Sequence, residues 1–563
     1  MSSRSEALRR LTAREFDVVV LGGGITGTGI ARDAAMRGLS VALLDKGDLA
    51  SGTSQTSSKL IHGGLRYLEQ LELGLVREGV RERAVLGRNA PHLARPLPFV
   101  FPVYRDGRVG MIEVAIGMWA YDALSLFTNY RRHQMLSRRR LMKQEPALRD
   151  TGLKGGALYY DCMTDDGRLT LETALDAEAH GAVIVTHAEV VSLTRDATHT
   201  TRGVSVRDRL DDQGLTGQGQ ASAPFEVRAK VVIVAAGPWT DRVLKDARGG
   251  ELPLLRPTKG AHIVLDGPRL PVKHAIVLTS PEDGRVLFAI PWGARTIVGT
   301  TDTDENDPDS VEASAADVDY LLRSANHYFP GVRGTPQDVI STWAGLRPLM
   351  GDGGGTHASD VSREHAILSI DPGLLAIAGG KLTTYRLMAE QAVDKALDKL
   401  GARVRAEPCR TEELPLLGAR PDPAKLKDLP ARARELAAAH ALEDDVAAHL
   451  VRAYGLRAPQ VLAAGREAGV RQGRLVPDLP FTFDEVAFAA RHERAERLDD
   501  VLRRRTLVFL QAKDQGLGVA REVAEVLAAV KGWDKQRVDL EVARYERLVA
   551  ASRAYQTRAL PVG

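Results

Sequence analysis

The chain opens with two short apolar runs on either side of a glycine cluster. "FDVVVLGGG" (16–24) is apolar without alternation, as a strand buried on both faces is, and "LSVALLDKGD" (39–48) repeats the pattern. Between them, "ITGTGIARDAAMRG" (25–38) carries small and apolar residues at helical spacing. Strand, helix and strand in so short a stretch predict a βαβ unit, and with it a parallel sheet. Further runs read as strands: "HGAVIVTHAEVVSLT" (180–194), "GVSVRD" and "FEVRAKVVIVAAGPW" (225–239). "HIVLD", "RVLFAIPWG" and "RTIVGTTDT", all between 262 and 303, predict an antiparallel meander. "GLLAIAGGKLTTYRLMAEQAVDKAL" (373–397) repeats the opening order of strand, glycines and helix.

After about residue 405 the pattern changes. "LPLLGARPDPAKLKDLP" (414–430) reads as a proline-punctuated linker, and beyond it "ARARELAAAHA", "DDVAAHLVRAYG" and "EVAFAARHERAERLDDVLRRR" have helical periodicity without strand-like runs. This predicts a separate helical domain. With 563 residues the chain is long enough for two or three domains, since one domain usually takes roughly 100–200 residues.

Composition narrows the class. Hydrophobic residues make up 44% and charged residues 26%, ordinary values for a globular chain with an ample core. A formal net charge of +3 and the lack of a basic tail argue against nucleic acid. The two cysteines, Cys162 and Cys409, form no CxxC pattern, so a disulfide framework and a cysteine metal site are not expected. The start of the chain has no apolar signal-like run. "MIEVAIGMWAYDALSLF" (111–127) is too interrupted by charge to span a membrane and reads as a core or interfacial helix. The densest basic run, "RRHQMLSRRR" (131–140), suits a solvated face, an anionic membrane surface or an acidic partner. The acidic "DTDENDPD" (302–309) lacks the glycine and closing glutamate of a calcium loop and reads as a solvated turn, and no metal site is expected.

Gly22-x-Gly24-x-x-Gly27 falls between the first strand and its helix, as a dinucleotide fingerprint requires. The first glycine turns the chain, the second lets the backbone approach a pyrophosphate, and the third packs helix on strand. Asp45 closes the second strand, where a carboxylate can accept from an adenosine ribose. The later glycine elements, at Gly237 and at Gly379 and Gly380, imply a discontinuous site. A helix start after Gly380 favours FAD over NAD, because it can stabilise negative charge on a reduced flavin ring.

The string "GGGITGTGIARDAAMRGLSVALLDKGDLASGTSQTSSKLIHGGLRYLE" (22–69) resembles the start of the FAD-dependent, membrane-associated glycerol-3-phosphate dehydrogenases. The likeness returns in "DDGRLTLETALDAEAHGA" (165–182), "AAGPWTD" (235–241), "TKGAHIVL" (258–265), "FAIPWGARTIVGTTDTD" (288–304), "WAGLRPL" (343–349) and "GGKLTTYRLMAE" (379–390). The helical C-terminal region also fits that family's cap domain. The resemblance implies an α/β fold: a discontinuous Rossmann-like FAD-binding domain (1–95, 151–255 and 341–404), an antiparallel-sheet substrate domain (96–150 and 256–340) and an all-helical cap (405–563). It implies oxidation of sn-glycerol 3-phosphate to dihydroxyacetone phosphate, with a hydride passing from C2 to FAD and electrons then going to membrane quinone. The protein is accordingly expected to be cytoplasmic and peripheral on the inner face of the cell membrane, and the resemblance leaves room for a homodimer. An oxidase that delivers electrons to oxygen, a D-amino-acid-oxidase-type flavoenzyme and a catalytically silent flavin-binding protein remain as alternatives.

By the same resemblance, His62 is the expected general base, since imidazole accepts a hydroxyl proton near neutral pH. Arg66, Arg347 and Arg363 match the family's substrate arginines and suit phosphate through their planar forks. Lys259 is expected as an active-site cation, and Tyr67, Lys381 and Thr383 as further substrate contacts. FAD contacts are expected from Gly22, Gly24, Ile25, Thr26, Gly27, Asp45, Lys46, Ser57, Ser58, Lys59, Gly237, Gly379, Gly380, Lys381, Leu382 and Thr383. His262 and His365 are left open, and Trp239 and Trp292 read as core or pocket wall.

Overall fold

A computed structural model of the chain describes residues 3–64, 72–125, 130–210, 222–249, 253–351 and 365–556. The first strand, Phe16–Leu21, pairs in parallel with Val41–Leu44 on one side and Phe225–Val234 on the other. Val183–Val185 and Leu374–Gly379 extend the parallel set outward, and His365–Asp371 closes one edge antiparallel. Both faces of this sheet are covered, which is why its strands are apolar throughout. Val18, Val20, Val231 and Ile233 pack under helices Ile25–Met36, Asp166–Ala179 and Tyr385–Leu400. Val19, Leu21, Val232 and Val234 face helix Arg4–Ala13 and the antiparallel strands Ala188–Arg195 and Thr201–Asp208. The fold is the α/β arrangement expected, with a second sheet and a helical C-terminal region.

The second sheet is mostly antiparallel and is built around the long strands Arg95–Tyr104, Leu153–Met163, Thr258–Asp266 and Val339–Arg347. Val286–Trp292 and Arg295–Gly299 form the expected meander with Thr258–Asp266. Three strands fall on the other side of the expected boundaries: Leu60–Ile61 and Leu153–Met163 pair with each other in this sheet, and most of Val339–Arg347 joins it too, although all lie in stretches assigned to the cofactor domain. The reason is tertiary, since Leu153–Met163 finds its partner in Arg95–Tyr104, some fifty residues upstream and beyond reach of local pattern.

The helical C-terminal region is less separate than its composition suggests. Phe483, Val486, Ala489 and Leu498 share one core with Phe99, Ile290, Trp292 and Trp343 of the second sheet. The proline-rich stretch before it is also tied down: the Gly418 N–H donates to Glu172 (2.9 Å), and Arg420 pairs with buried Asp176 (2.9 Å). A third anchor is ionic. The segment Asp500–Arg505 carries Arg504 and Arg505 onto Asp48, with Nε and Nη1 respectively 2.5 Å from its carboxylate. Arg504 also meets Asp500 (2.5 Å), whose carboxylate lies 3.2 Å from His187. Burial alone would raise the pKa of Asp500, but His187, Arg504 and Arg505 hold it well below the usual carboxylate range.

Asp48, His187, Asp500, Arg504 and Arg505 are all buried, and a buried charge is tolerated only when it is paired. Asp48→Ala would leave two buried guanidiniums short of their shared partner, at a cost of about 3–5 kcal/mol. The expected outcome is a clear fall in the denaturant midpoint of unfolding, whereas alanine in place of the exposed, partnered Asp150 should change it little.

Candidate active site

The glycine turn is built as its fingerprint requires. Gly22 has a φ of +114°, and a Cβ there would stand 2.5 Å from the Ala235 carbonyl oxygen. At Gly27 a Cβ would collide with the Gly22 carbonyl oxygen, so this position answers to packing of helix on turn. Helix Ile25–Met36 then begins, and its first N–H, at Ile25, donates to Ser54 Oγ (2.8 Å).

A cavity of about 540 Å³ opens over this turn, within the range of small-molecule and cofactor sites. Gly22, Gly24, Ile25, Thr26, Asp45, Lys46, Gly237, Gly379, Gly380, Lys381 and Leu382 line it, so the three distant glycine elements converge on one space. The expected contact Gly27 does not line it, nor do Ser57, Ser58, Lys59 and Thr383. Part of the wall was not foreseen: Ser51–Ser54, the strand edge from Ala188 to Leu193, Arg242, Asp309 and Pro348. Those residues come from loops and strand edges that carry no dinucleotide fingerprint of their own.

Each oxygen of the Asp45 carboxylate accepts one backbone N–H, from Gly23 (2.6 Å) and Gly47 (2.7 Å). A carboxylate oxygen has a second acceptor site, which leaves Asp45 able to take a ribose hydroxyl. Burial pushes its pKa up against those two donors. Gly379 and Gly380 have φ of +76° and +85°, conformations open to glycine at little cost, and they lead into the turn Leu382–Thr384 and helix Tyr385–Leu400. The backbone at Gly237 is also left-handed, and a Cβ there would meet no protein atom within 4 Å. Bare backbone facing open space at one wall, two helix starts and an acid at the end of the second strand together fit the diphosphate and ribose of a dinucleotide.

The "SSKLIH" segment is fastened beneath this cavity. Lys59 is completely buried, and its ammonium donates to Asp166 (2.7 Å) and to the Gln55 carbonyl (3.1 Å). Ser57 Oγ donates to the same carboxylate (2.7 Å). The Lys59 ammonium is therefore spent on an internal ion pair, because Asp166, at the start of helix Asp166–Ala179, would otherwise be an unpaired buried charge. Asp166 was legible only as part of the "DDGRLT" string. Ser58 Oγ lies 2.9 Å from His262 Nε2, and His262 stacks on Trp343 (4.9 Å between ring centroids). Burial, with the nearby charges of Arg347 and Lys59, keeps the His262 pKa well below the usual imidazole value, so the ring is neutral at pH 7.

Strand alternation sorts the remaining candidates. Thr258, Gly260 and His262 lie opposite Arg347, Gly345 and Trp343, and opposed residues share a face. Arg347 lies across Gly260, donating to Asp302 (2.9 Å), Thr300 Oγ (3.1 Å) and the Thr301 carbonyl (3.1 Å). Lys259, one residue off in register, points to the other face, where Asp317 of helix Ala315–Tyr328 holds it at 3.0 Å. Arg347 and Lys259 are thus not brought together. Thr383 is buried with its hydroxyl on the backbone of His62, accepting from its N–H (3.2 Å) and donating to its carbonyl (3.3 Å), which sets His62 beside the late helix start. His365 lies on the edge strand, 2.7 Å from Gln391. Arg66, Tyr67 and Arg363 lie outside the described residues. Among the described residues no cluster of three or more metal-ligating side chains occurs.

A doubly covered parallel sheet with a dinucleotide cavity at the ends of its strands, joined to an antiparallel sheet, defines a nucleotide-dependent oxidoreductase. Residues 17–386 match the family described as FAD dependent oxidoreductase, and residues 409–538 match the C-terminal domain of alpha-glycerophosphate oxidase. The chain is 40% identical to glycerol-3-phosphate dehydrogenase 2 of Mycobacterium tuberculosis, over 98% of this chain and 91% of that protein. It is 36% identical to the aerobic glycerol-3-phosphate dehydrogenase of Staphylococcus saprophyticus, over 94% and 93%. Among solved structures, the glycerol-3-phosphate dehydrogenase of Bacillus halodurans, complexed with FAD, superposes with a TM-score of 0.79 at 30% identity and 99% coverage of both chains. The chain belongs to the FAD-dependent glycerol-3-phosphate dehydrogenase family, and its cofactor is FAD.

Gly260 offers a test of the arginine face. A Cβ there would strike the Arg347 guanidinium and the Thr300 hydroxyl, both ends of side chains and not backbone, so Gly260→Ala should fold but push the guanidinium off Asp302 and Thr300. Steady-state kinetics should show KM for the phosphorylated substrate raised by roughly tenfold, the loss of one charge-assisted contact, with flavin content unchanged.

Proposed function

We propose that this chain oxidises glycerol 3-phosphate at C2 to dihydroxyacetone phosphate and passes the electrons to a membrane quinone. The observation that carries the substrate is 40% identity along 98% of the chain to a glycerol-3-phosphate dehydrogenase. The geometry supports it by bringing His62, through Thr383, against the helix start at which Lys381 and Leu382 line the cavity.

When bound, FAD supplies the acceptor for two electrons and the C2 hydrogen. His62 takes the proton of the C2 hydroxyl, a task for which imidazole has a suitable pKa near neutrality. Arg347 holds the substrate phosphate, and Arg66 and Arg363 join it on the strength of the family strings. Holding the phosphate fixes the distance to the reacting carbon, and the gain is largely one of orientation. The N–H groups opening the helix at Leu382–Thr384 present a positive end to the cavity, where charge develops during reduction.

The quinone reading draws on helix Met111–Leu124. Ile112 (77% exposed), Ile116 (66%) and Trp119 (56%) form one stripe at helical spacing, and Tyr130 (67%) lies exposed near its end. The basic run starts alongside, since His133 is held to Asp122 of this helix at 2.7 Å, and Arg131, Arg139 and Arg140 are exposed. An apolar stripe edged by arginines suits the interface of an anionic bilayer. No described helix is long and apolar enough to cross one.

Glycerol 3-phosphate added anaerobically to the FAD-loaded protein should bleach the flavin band. Recovery should be fast with a soluble quinone and slow in air, fast recovery in air would make the protein an oxidase, and no bleaching would refute the substrate. In flotation with phosphatidylglycerol vesicles, Ile116→Glu should lose most of the binding seen for the native chain while keeping the bleaching reaction.

A further inference from the structure

The acidic run at 302–309 is exposed for most of its length, as expected, yet its last residue is not idle. Asp309 belongs to the loop that follows Thr303–Asp304 on the substrate-domain sheet, yet its carboxylate meets three donors on the cofactor domain. Lys46 Nζ lies 2.7 Å from Oδ1, Trp239 Nε1 donates to the same oxygen (2.7 Å), and Arg242 pairs with Oδ2. Arg242 also reaches Asp307 (2.7 Å). The indole of Trp239 sits between Lys46, whose ammonium is 4.4 Å from a ring centroid, and Gly52, where a Cβ would stand only 3.0 Å from the ring. Lys46, Gly52, Trp239, Arg242 and Asp309 all line the cofactor cavity. Partial burial would raise the pKa of Asp309, but its Lys46 and Trp239 contacts hold it below the usual carboxylate value.

We propose that Asp309 is a latch that draws Lys46, Trp239 and Arg242 together at the mouth of the cofactor cavity and slows loss of the dinucleotide. The proposal rests on the FAD reading of that cavity. Its physical basis is cooperation, because a single exposed ion pair contributes little, whereas one carboxylate shared by three donors, one of them a packed indole, closes several gaps at once. The latch joins the two sheets. The strap that carries it follows directly on Asp302, the partner of Arg347, so cofactor retention and the proposed phosphate clamp share a loop. Because the contacts are half-exposed, salt screens them.

The test uses the full FAD-loaded chain. Native protein, Asp309→Asn and Asp309→Glu are diluted at low and at high sodium chloride, and released FAD is measured by fluorescence in the filtrate. At low salt Asp309→Asn should release FAD roughly three- to tenfold faster than the native chain, and Asp309→Glu should restore slow release. High salt should speed the native protein toward the variant rate and change the variant little, a pattern that a merely structural defect would not give. If Asp309→Asn does not fold, Arg242→Gln removes the same clasp from the other side and is read in the same way. Equal release rates for native and variant protein at both salts would overturn the latch while leaving FAD binding intact. Failure of the native chain to bind FAD at all would overturn the cofactor reading, and the latch with it.

Discussion

A buried carboxylate that cannot be left alone governs much of this molecule. Asp48 lies at the start of the loop that walls the cofactor cavity, and the charges that match it come from Arg504 and Arg505, more than four hundred residues later. The same loop is held again at Gln55, which donates to the Arg503 carbonyl, and again where Lys59 and Ser57 meet Asp166. A stretch of about a dozen residues is thus fixed to the C-terminal helices at two points and to helix Asp166–Ala179 at a third. Because desolvated charges are costly unless paired, the cavity wall takes its shape only when all three bodies are in place. The helical region is therefore part of what shapes the cofactor site, and its core continues into the second sheet without a break.

The second constraint is the two-residue period of a strand. Along Thr258–Asp266, even positions face Trp343, Ser341 and Arg347 of the neighbouring strand, and odd positions face helix Ala315–Tyr328. This alternation puts His262 and Arg347 on one surface and sends Lys259 to Asp317 on the other. Glycines at 260 and 345 then make room on the shared face, the first for the Arg347 guanidinium and the second for Thr56. A neutral His262, a paired Arg347 and the buried Lys59–Asp166 pair give that face a fixed charge pattern before any ligand arrives.

Local stereochemistry made much of this legible in the chain. The turn Gly22–Gly24 and the turn at Gly379–Gly380 must be glycine because of φ and close approach, needs that a sequence displays directly. Uniform apolar runs gave away strands covered on both faces, and the loss of strand-like runs after residue 405 marked the helical region. Of the residues the family strings singled out, Thr383 holds the backbone of His62 beside the late helix start, while Arg347 lies on the second sheet against Asp302.

What the sequence could not determine was which charges face each other. Lys59 looked like a cofactor contact because it sits in a cofactor string, but an acid more than a hundred residues away claims it. Asp309 read as part of a solvated turn and is half-exposed, yet three donors from far along the chain meet its carboxylate. By itself the sequence determined the local conformations, the apolar faces and the set of chemical groups, because propensity, period and glycine sterics act over a few residues. Only the tertiary structure decided which lysine is spent on an internal ion pair, which arginine shares a face with His262 and how the C-terminal helices anchor the loop that walls the cofactor cavity. Those outcomes depend on desolvation and pairing between groups that are neighbours only after the chain has folded.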